Sequence, residues 1–352
     1  MRGSLAAAYA WLDERFDLGA LVEFARHKRV PVHRGSVFYY AGGVTAFLFL
    51  LQVGTGILLL MYYRVGTDAS YESVRYITTK VPFGWLMRSV HSWGANLMVL
   101  FVLLHMLSVL FMKAYRKPRE LTWLTGCALL GLSMAFGFSG YLLPWNELAY
   151  FATKVGTDIV GQVPLVGHWL LRLVRGGDEV TGATLSRFFG LHVAILPALL
   201  TSLMGVHLLF VQTQGMAGAD RAKKTMAFFP NFLLRDAIFW LVVLNAVCAL
   251  AVFFPWELGK KADALASAPT GIKPEWYFLS QYQFLKVLPG RIGPVAGELV
   301  GIAVIGAAGL VFALVPFWER LVPEGRRDRA VELFGWVSLA VLGAMTAWGY
   351  LS

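Results

Sequence analysis

The sequence predicts an all-α integral membrane protein with seven transmembrane helices. Of its 352 residues, 57% are hydrophobic and only 15% are charged, and its mean hydropathy is positive. Seven stretches lack Asp, Glu, Lys and Arg over about 20 residues or more, which is the length a helix needs to cross a bilayer. In chain order these predicted spans 1–7 are residues 37–63, 89–112, 121–146, 188–219, 237–256, 299–318 and 333–352.

The N-terminal segment and the loops predict the orientation. Residues 1–24, which include "AYAWLDERFDLGALVEF", predict an amphipathic helix on the membrane surface, and residues 1–36 show no cleavable signal peptide. With seven spans, 18 of the 31 Lys and Arg residues share the N-terminal side, and the short loop 113–120 holds four of them. Because basic loops stay inside, the N-terminus is expected in the cytoplasm of a bacterial inner membrane or its equivalent, and loop 257–298 outside. The net charge of +10 follows from this bias and gives no reason to expect nucleic acid.

The two cysteines do not form a cofactor motif. Cys127 and Cys248 lie apart in apolar spans, with no Cys-x-x-Cys-His pattern. The sequence therefore predicts neither a c-type haem attachment nor a disulfide framework. Both thiols are expected to be buried in the core.

Four of the seven histidines lie in two spans, as two pairs. His91 and His105 are 14 residues apart in span 2, and His192 and His207 are 15 residues apart in span 4. At 100° per residue, 14 steps end about 40° short of whole turns and 15 steps about 60° beyond, so each pair shares a helix face over about 21–22 Å. Because these spans run in the same direction, His91 is expected to meet His192 near the outer side. His105 is expected to meet His207 near the inner side.

Two imidazoles at each of two depths indicate two bis-histidine haems. A single histidine inside a span is most often a hydrogen-bonded core residue, and zinc usually takes Cys, carboxylates or more His at one site. Two neutral imidazoles suit the opposite faces of a flat macrocycle, whose six-coordinate iron then carries electrons. The histidines alone leave two other functions open: a transporter with a histidine proton relay, and a di-haem membrane anchor of a dehydrogenase.

Glycines in spans 1 and 3 repeat the histidine spacing. Gly42 and Gly56 are 14 residues apart, as are Gly126 and Gly140. Small residues are common where membrane helices pack together. The matched spacing nevertheless favours clearance for haem, since glycine permits close approach of the backbone.

An acidic residue stands in an apolar stretch of the predicted outer loop 257–298. In "KPEWYFL" (residues 273–279), Glu275 follows Pro274 and precedes Trp276. A carboxylate in such surroundings is costly unless it is solvated, paired or used. The stretch alone allows a functional acid or a chance acid in an interfacial belt of Trp and Tyr.

Four motifs resemble cytochrome b of the quinol-oxidising cytochrome bc complexes. They are "GWLMRSVHSWGANLMVLFVLLH", "GYLLPWNE", "TLSRFFGLHVAILPALLTSLMGVH" and "PEWYFL". They occur in the expected order, and the resemblance runs from about residue 11 to the end. The 15-residue histidine step, "PRELTW" (118–123) and the seven spans resemble the b6f-type branch, in which a four-helix haem protein and a three-helix quinol-site subunit are separate chains. Here the two look joined, which implies an N-terminal segment, a di-haem domain and a quinol-site domain at 1–36, 37–212 and 213–352.

The resemblance implies the membrane core of a proton-translocating quinol oxidoreductase that runs a Q-cycle. Quinol would be oxidised outside, and one electron would pass to a partner Rieske iron–sulfur protein and on to a cytochrome c-type or plastocyanin-type acceptor. The other electron would pass through the outer and inner b haems to quinone bound inside. The family also implies a homodimeric complex in the lipid bilayer.

The resemblance assigns residues on the outer side. Glu275 would accept a proton from quinol, and Tyr277, Pro274 and the segment 140–145, which ends at Trp145, would line the same pocket. The match weakens the chance-acid interpretation, and desolvation in an apolar wall is expected to raise the pKa of Glu275.

Two arginines precede the outer histidines in sequence. Arg88 lies three residues before His91, and Arg187 lies five residues before His192. Their guanidinium groups could pair with haem propionates, or they could be ordinary interfacial arginines that snorkel.

On the inner side, family members have a quinone-reduction pocket. Asp236 in "LLRDAIF" matches a quinone-proximal acid of the ubiquinol-type branch, with Arg235 and Lys224 as possible neighbours, although Asp at a helix start is also an ordinary cap. Gln212 stands where the two branches carry arginine or histidine, so it could make quinone binding differ from both. Tyr40 stands where chloroplast-type relatives carry the cysteine that holds an additional haem, so a third, covalent haem is not expected.

Overall fold

A computed structural model of the chain describes residues 2–218 and 222–352. Helices dominate these two stretches, and short strands form two antiparallel pairs. The helices are α1 (Arg2–Phe16), α2 (Leu18–His27), α3 (Tyr40–Leu60), α4 (Ser70–Lys80), α5 (Gly84–Phe111), α6 (Glu120–Leu142), α7 (Glu147–Gly161), α8 (Gly167–Arg175), α9 (Gly182–Gly190), α10 (Leu196–Gln214), α11 (Leu233–Phe253), α12 (Trp276–Val287), α13 (Gly297–Ala313), α14 (Val315–Trp318) and α15 (Glu324–Leu351). The strands are β1 (Arg29–Val32), β2 (Lys224–Ala227), β3 (Arg291–Ile292) and β4 (Val295–Ala296).

Six helical segments of the described chain are long and apolar enough to cross a membrane, and a bent helix pair makes seven if it counts as one span. Spans 1–5 and 7 are Ser36–Leu60, Gly84–Phe111, Glu120–Leu142, Gly182–Gln214, Phe228–Phe253 and Glu324–Leu351. Span 6 is Gly297–Ala313 with Val315–Leu321, which meet at 62°. The all-α membrane fold is confirmed, but span 6 is broken rather than straight. Pro316 accounts for the break, because a proline has no backbone N–H and its ring clashes with the carbonyl four residues before it.

The N-terminal segment is two helices instead of the single amphipathic helix expected over 1–24. Asp17 separates them with a positive φ of 48°, and its carboxylate accepts a hydrogen bond from Ala20 N at 3.3 Å. Strand β1 then pairs antiparallel with β2, and Val30 at its centre is fully buried. The segment that precedes span 1 is therefore tied to the segment that precedes span 5.

The largest apolar core lies where α3, α5 and α11 meet, with one residue from α10. Its buried members are Val44, Leu48, Phe49, Val90, Met98, Leu200, Val243, Val247 and Ala251. Cys127 is half-buried, but Cys248 is exposed on α11. The prediction of two core thiols is therefore wrong for Cys248, whose helix turns that side chain away from the core.

A group of ion pairs joins the basic loop between spans 2 and 3 to the adjoining ends of spans 6 and 7. Arg116 Nε donates to Glu319 at 2.6 Å, and the hydroxyl of Tyr115 also donates to Glu319, which is only 5% exposed. Lys113 Nζ lies 2.6 Å from Glu332. This inner clamp holds the four-helix part of the chain (spans 1–4) against the three-helix part (spans 5–7).

The substitution Glu319→Gln is expected to lower the free energy of unfolding by about 2 kcal/mol, because a buried charge-assisted hydrogen bond is lost. The measurement is the temperature at which the purified protein loses its visible absorption. Glu324→Gln is the control, since its carboxylate is 89% exposed and lies 3.5 Å from Arg327, and exposed pairs contribute little. Equal melting temperatures for the two variants would contradict the prediction.

Candidate functional site

The four span histidines lie at two levels. His91 on α5 and His192 on span 4 have ring centroids 6.3 Å apart and planes at 73°. A similar distance between ring centroids is expected when two imidazole nitrogens bind one metal ion from opposite sides. Each metal–nitrogen bond contributes about 2 Å, and the distance from the nitrogen to its ring centre is added at both ends. His105 and His207 form the second level: a Cβ added to Gly126 would lie 3.5 Å from Cε1 of His207 and 3.4 Å from Sδ of Met106, the residue after His105. The expected pairs are thus brought together, and ligation by them stays a prediction.

One turn of π-helix in span 4 compensates for a difference in histidine spacing. The two histidines of span 4 are 15 residues apart, and those of span 2 are 14 residues apart. The turn comprises Leu191–Ile195, and Leu196 N donates to the carbonyl of Leu191, five residues back. Pro197 follows and cannot donate to the carbonyl four residues before it, so the helix widens there. A π turn absorbs one extra residue, which cancels the difference between the two steps. The regular α-helix assumed for span 4 was therefore wrong, although the pairing drawn from it holds.

Each of the four glycines faces one of the four histidines. A Cβ added to Gly140 would lie 2.6 Å from Cε1 of His192, and one added to Gly42 would lie 3.2 Å from Cε1 of His105. The corresponding distances are 3.4 Å for Gly56 with His91 and 3.5 Å for Gly126 with His207. A side chain on these glycines would occupy the space beside the imidazoles.

Three of the four histidines have a hydroxyl at Nδ1. The distances are 2.9 Å for His91 with Thr55, 2.9 Å for His207 with Thr125 and 3.1 Å for His192 with Ser139. Each hydroxyl also donates its proton to a carbonyl of its own helix. Its oxygen can then accept from the imidazole Nδ1–H, and the carbonyls of Phe136 and Thr122 are second acceptors for His192 and His207. An Nδ1–H donated to either acceptor leaves Nε2 with its lone pair.

These three hydroxyls were not predicted, although a sequence pattern marks their positions. Each belongs to the residue directly before a glycine that faces a histidine, as Ser-Gly or Thr-Gly. The exception is Gly42, which follows Ala41. The buried Nδ1 of His105, which faces Gly42, has no hydrogen-bond partner in the described part of the chain.

The residues at both levels fit a haem. Over residues 2–218 and 222–352, no group of three His, Cys, Asp or Glu side chains could hold a metal ion on its own. Paired neutral imidazoles with a free Nε2 are the ligands that a bis-histidine haem requires. The buried Nε2 of Gln52, close to Gly94 on α5, also lacks a partner among the described residues, and a bound group with acceptor oxygens would satisfy it.

Glu275 lies in the wall of a largely apolar cavity of about 560 Å³. The cavity is bounded by α6, α7, α12 and α13, and Gly137, Tyr141 and Phe278 contribute to its lining. Burial raises the pKa of Glu275, as expected, and no charged or hydrogen-bonding group of the described chain offsets that effect. The carboxylate is therefore available to a molecule that enters the cavity.

Two further residues predicted for this pocket also line it. Pro274 and Tyr277 contribute to the cavity wall, and burial and the nearby Glu275 carboxylate raise the pKa of Tyr277. Between them in sequence, Trp276 donates from Nε1 to Oδ1 of Asn96 at 2.9 Å. This bond ties the loop to α5, and sequence reasoning did not reveal it.

Within the segment 140–145, Tyr141 lines this cavity, and the two ends of the segment have other neighbours. Gly140 faces His192 instead, and Trp145 does not reach the cavity lining. Trp145 has a positive φ of 50°, is 5% exposed and packs edge-to-face on Tyr150, with ring centroids 5.5 Å apart. The left-handed turn directs this side chain into a neighbouring core, and quinol binding by Trp145 stays a prediction.

Arg88 and Arg187 differ in their surroundings. Arg88 is 7% exposed and donates to the carbonyls of Trp256 at 2.6 Å and Glu257 at 3.0 Å. Arg187 is exposed and reaches the carbonyl of Ala183 at 3.5 Å. Arg88 thus holds α5 to the segment that follows span 5, and contact of either arginine with a haem propionate stays a prediction.

The two residues predicted for the inner quinone pocket lie in different environments. Asp236 is 7% exposed and packs so closely on Gly43 that a Cβ there would clash. Its buried Oδ1 has no hydrogen-bond partner among the described residues. Gln212 accepts a hydrogen bond from Lys28.

Tyr40 is part of an aromatic stack. Its ring lies 4.8 Å from the ring of Phe232 and 4.8 Å from that of Phe239, between centroids. The side chain is 7% exposed. An aromatic ring therefore fills the position at which a cysteine was considered.

Several known proteins are similar to this chain. The family model for cytochrome b/b6/petB matches residues 27–215, and the model for cytochrome b(C-terminal)/b6/petD matches residues 261–351. The cytochrome bc complex cytochrome b subunit of Chlorobaculum thiosulfatiphilum is 46% identical over 343 residues, which is 96% of this chain and 79% of that protein. Cytochrome b6 of Synechococcus sp. (strain JA-3-3Ab) is 43% identical over 214 residues, which is 61% of this chain and 99% of that protein. A chain of the solved hyperthermophilic respiratory Complex III is similar with a TM-score of 0.79 and 26% identity, over 97% of this chain and 98% of that one.

Proposed function

Because the chain belongs to the cytochrome b family of bc- and b6f-type complexes and carries both regions of that family in one polypeptide, we propose how its residues carry out quinol oxidation. The protein is the redox core of a quinol oxidoreductase, is integral to the membrane and binds b-type haem. Membership of this family removes the two alternatives that the histidines alone left open, a proton-relay transporter and a dehydrogenase anchor.

His91 and His192 hold the iron of the outer haem, and His105 and His207 hold the iron of the inner haem. The paired positions, the facing glycines and the hydroxyls at Nδ1 support this assignment. When bound, the two haems supply one-electron transfer across the membrane. The protein's own contribution is to orient each imidazole, to keep its Nε2 available and to exclude water.

Glu275 accepts a proton from quinol in the 560 Å³ cavity. The observation that carries this proposal is a carboxylate in an apolar wall whose pKa is raised by burial alone. A raised pKa brings a carboxylate closer to the working pH of a general base. Tyr277 and Pro274 complete the wall around it, and Asp236 and Gln212 belong to an inner quinone site.

The family suggests the partners and the orientation. A Rieske iron–sulfur protein takes one electron from quinol and passes it to an acceptor of the cytochrome c or plastocyanin type, within a homodimeric complex. The distribution of Lys and Arg supports a cytoplasmic N-terminus, with the Glu275 loop on the outer side.

The test is a reduced-minus-oxidised spectrum of the purified complex, with pyridine haemochrome quantitation and an assay of quinol oxidation. Two b haems per chain and quinol-dependent reduction are expected. A colourless protein, or two haems without quinol oxidation, would overturn the proposal.

Tyr40 leads to a separate prediction, that the chain carries no covalently bound haem. No thioether can form at tyrosine, and Phe232 and Phe239 flank its ring. A denaturing gel stained for haem peroxidase activity should be blank at the mass of this chain, with a c-type cytochrome on the same gel as the positive control. A stained band would contradict this prediction.

A further inference from the structure

The four histidines differ in one contact, the hydrogen-bond partner of Nδ1. His91, His192 and His207 each have a hydroxyl within 2.9–3.1 Å of Nδ1, whereas the buried Nδ1 of His105 has no partner in the described chain. The difference follows from one residue type, since Ala41 stands where the three other positions have Ser or Thr before the facing glycine.

The missing hydroxyl follows from the residue type at position 41, because both histidines of α5 face corresponding positions of α3. The pair Thr55 and Gly56 on α3 faces His91 on α5, and the pair Ala41 and Gly42 on α3 faces His105 on the same α5. Both steps are 14 residues, one along each of two adjacent helices. Position 41 therefore stands to His105 in sequence as position 55 stands to His91. A Cβ at Gly42 would lie 3.6 Å from Nδ1 of His105, so a hydroxyl on the neighbouring residue 41 is the simplest way to supply the missing partner.

A hydroxyl at Nδ1 changes the imidazole as an iron ligand. The hydroxyl proton is already given to the helix carbonyl, at 2.7 Å from Leu51 O for Thr55 and 2.9 Å from Leu121 O for Thr125. In the tautomer that leaves Nε2 free for iron, Nδ1 carries the proton and the hydroxyl oxygen accepts its hydrogen bond, which makes Nε2 more basic. A more basic ligand stabilises the oxidised iron, which carries one positive charge more than the reduced iron, and so lowers the reduction potential.

We propose that the residue before each facing glycine sets the ligand strength of the opposite histidine, and that Ala41 makes His105 the weakest ligand of the four. This inference rests on the proposed assignment of the four histidines to b haems. The outer level has two such hydroxyls, from Thr55 and Ser139, and the inner level has one, from Thr125.

The test is a potentiometric titration of the two b haems in the purified complex, followed by visible absorbance. Ala41→Thr should shift the redox equilibrium constant of the inner haem by about threefold to tenfold toward the oxidised form, which is about 28–59 mV downward at 59 mV per tenfold for one electron. Thr55→Val should shift the outer haem upward by a similar amount, because the side chain keeps its shape and loses the acceptor. The single-haem variant His105→Leu identifies which wave belongs to the inner level.

Thr45→Val is the matched control. Thr45 lies on the same helix and donates to the carbonyl of Ala41 at 2.9 Å, and within the described chain its hydroxyl contacts no histidine. Both potentials should stay at their original values in this variant. A shift equal to that of Thr55→Val would show that any lost hydroxyl on α3 has this effect and would overturn the inference.

The other outcomes are equally decisive. Two haems that titrate normally but do not respond to Ala41→Thr or Thr55→Val overturn this inference and leave the proposed function intact. A protein without b haems defeats the proposed function itself. If threonine at position 41 displaces the inner haem, the variants Ala41→Ser and Ser139→Ala provide the test. Ala41→Ser should lower the reduction potential of the inner haem, and Ser139→Ala should raise that of the outer haem. Unchanged potentials in both variants would overturn the inference.

Discussion

Glu275→Gln is expected to slow quinol oxidation by about 10²-fold while both b haems keep their spectra. Glutamine preserves size and hydrogen bonding but removes the group that titrates, and loss of a general base commonly costs about 10²–10⁴-fold. The lower end is expected, because a water chain in the cavity can carry part of the proton flow. The haem spectra should stay unchanged, since Glu275 lies on a loop and the four histidines lie in spans 2 and 4.

The pH dependence gives the sharper measurement. The carboxylate is the form that accepts a proton, and burial raises the pKa of Glu275, so the wild-type rate should rise with pH through a pKa above the ordinary range of a glutamate. The glutamine variant should lack this limb. Glu257→Gln is the control, because Glu257 is an exposed acid of the same loop and only its backbone carbonyl contacts Arg88. An unchanged rate and pH profile in Glu275→Gln would show that Glu275 only lines the cavity and does not accept the proton.

His105→Leu and His207→Leu should each remove one b haem and leave the other. These two histidines form one level, and His91 and His192 form the other at 6.3 Å between ring centroids, so each variant deletes half of one ligand pair. Pyridine haemochrome quantitation should fall from two haems per chain to one, and both variants should lose the same spectral component.

His168→Leu is the control for the haem count. His168 is exposed and lies 3.7 Å from Asp178, outside both levels, so this variant should keep two haems. Loss of both haems from a stably folded His105→Leu protein, or loss of neither, would contradict the two-level assignment.

The membrane helices and the histidine levels could be predicted because they follow from periodicity. Apolar length defines the spans, and the helical repeat brings His91 and His105 to one face without knowledge of any neighbour. The break at Pro316 and the π turn before Pro197 were not predicted, because a proline inside a membrane helix can kink it, widen it or leave it continuous. The residues packed around the helix decide which of these results.

Site residues could be predicted from the sequence where a single side chain carries the chemistry. Features that depend on a contact between distant residues were not predicted. Glu275 is conspicuous because a carboxylate in an apolar stretch demands an explanation. The bond from Trp276 to Asn96 joins residues 180 positions apart, and a single sequence contains no signal for such a pair. Trp145 was assigned to the pocket by its neighbours in the motif, and a single sequence gives no sign of its left-handed backbone conformation.

The inner clamp has a consequence for how the two parts of the molecule depend on their peptide link. Buried Glu319 is bonded to Tyr115 and Arg116, far from the junction in sequence, and strand β1 is paired with β2, which directly follows the junction, so non-covalent contacts position the parts. A link between parts that already recognise each other mainly raises their effective concentration. We therefore expect that a chain interrupted between residues 216 and 223 would still assemble in the membrane. The continuous polypeptide then ensures stoichiometry: each four-helix part is made with one three-helix part, without any need to balance the synthesis of two subunits.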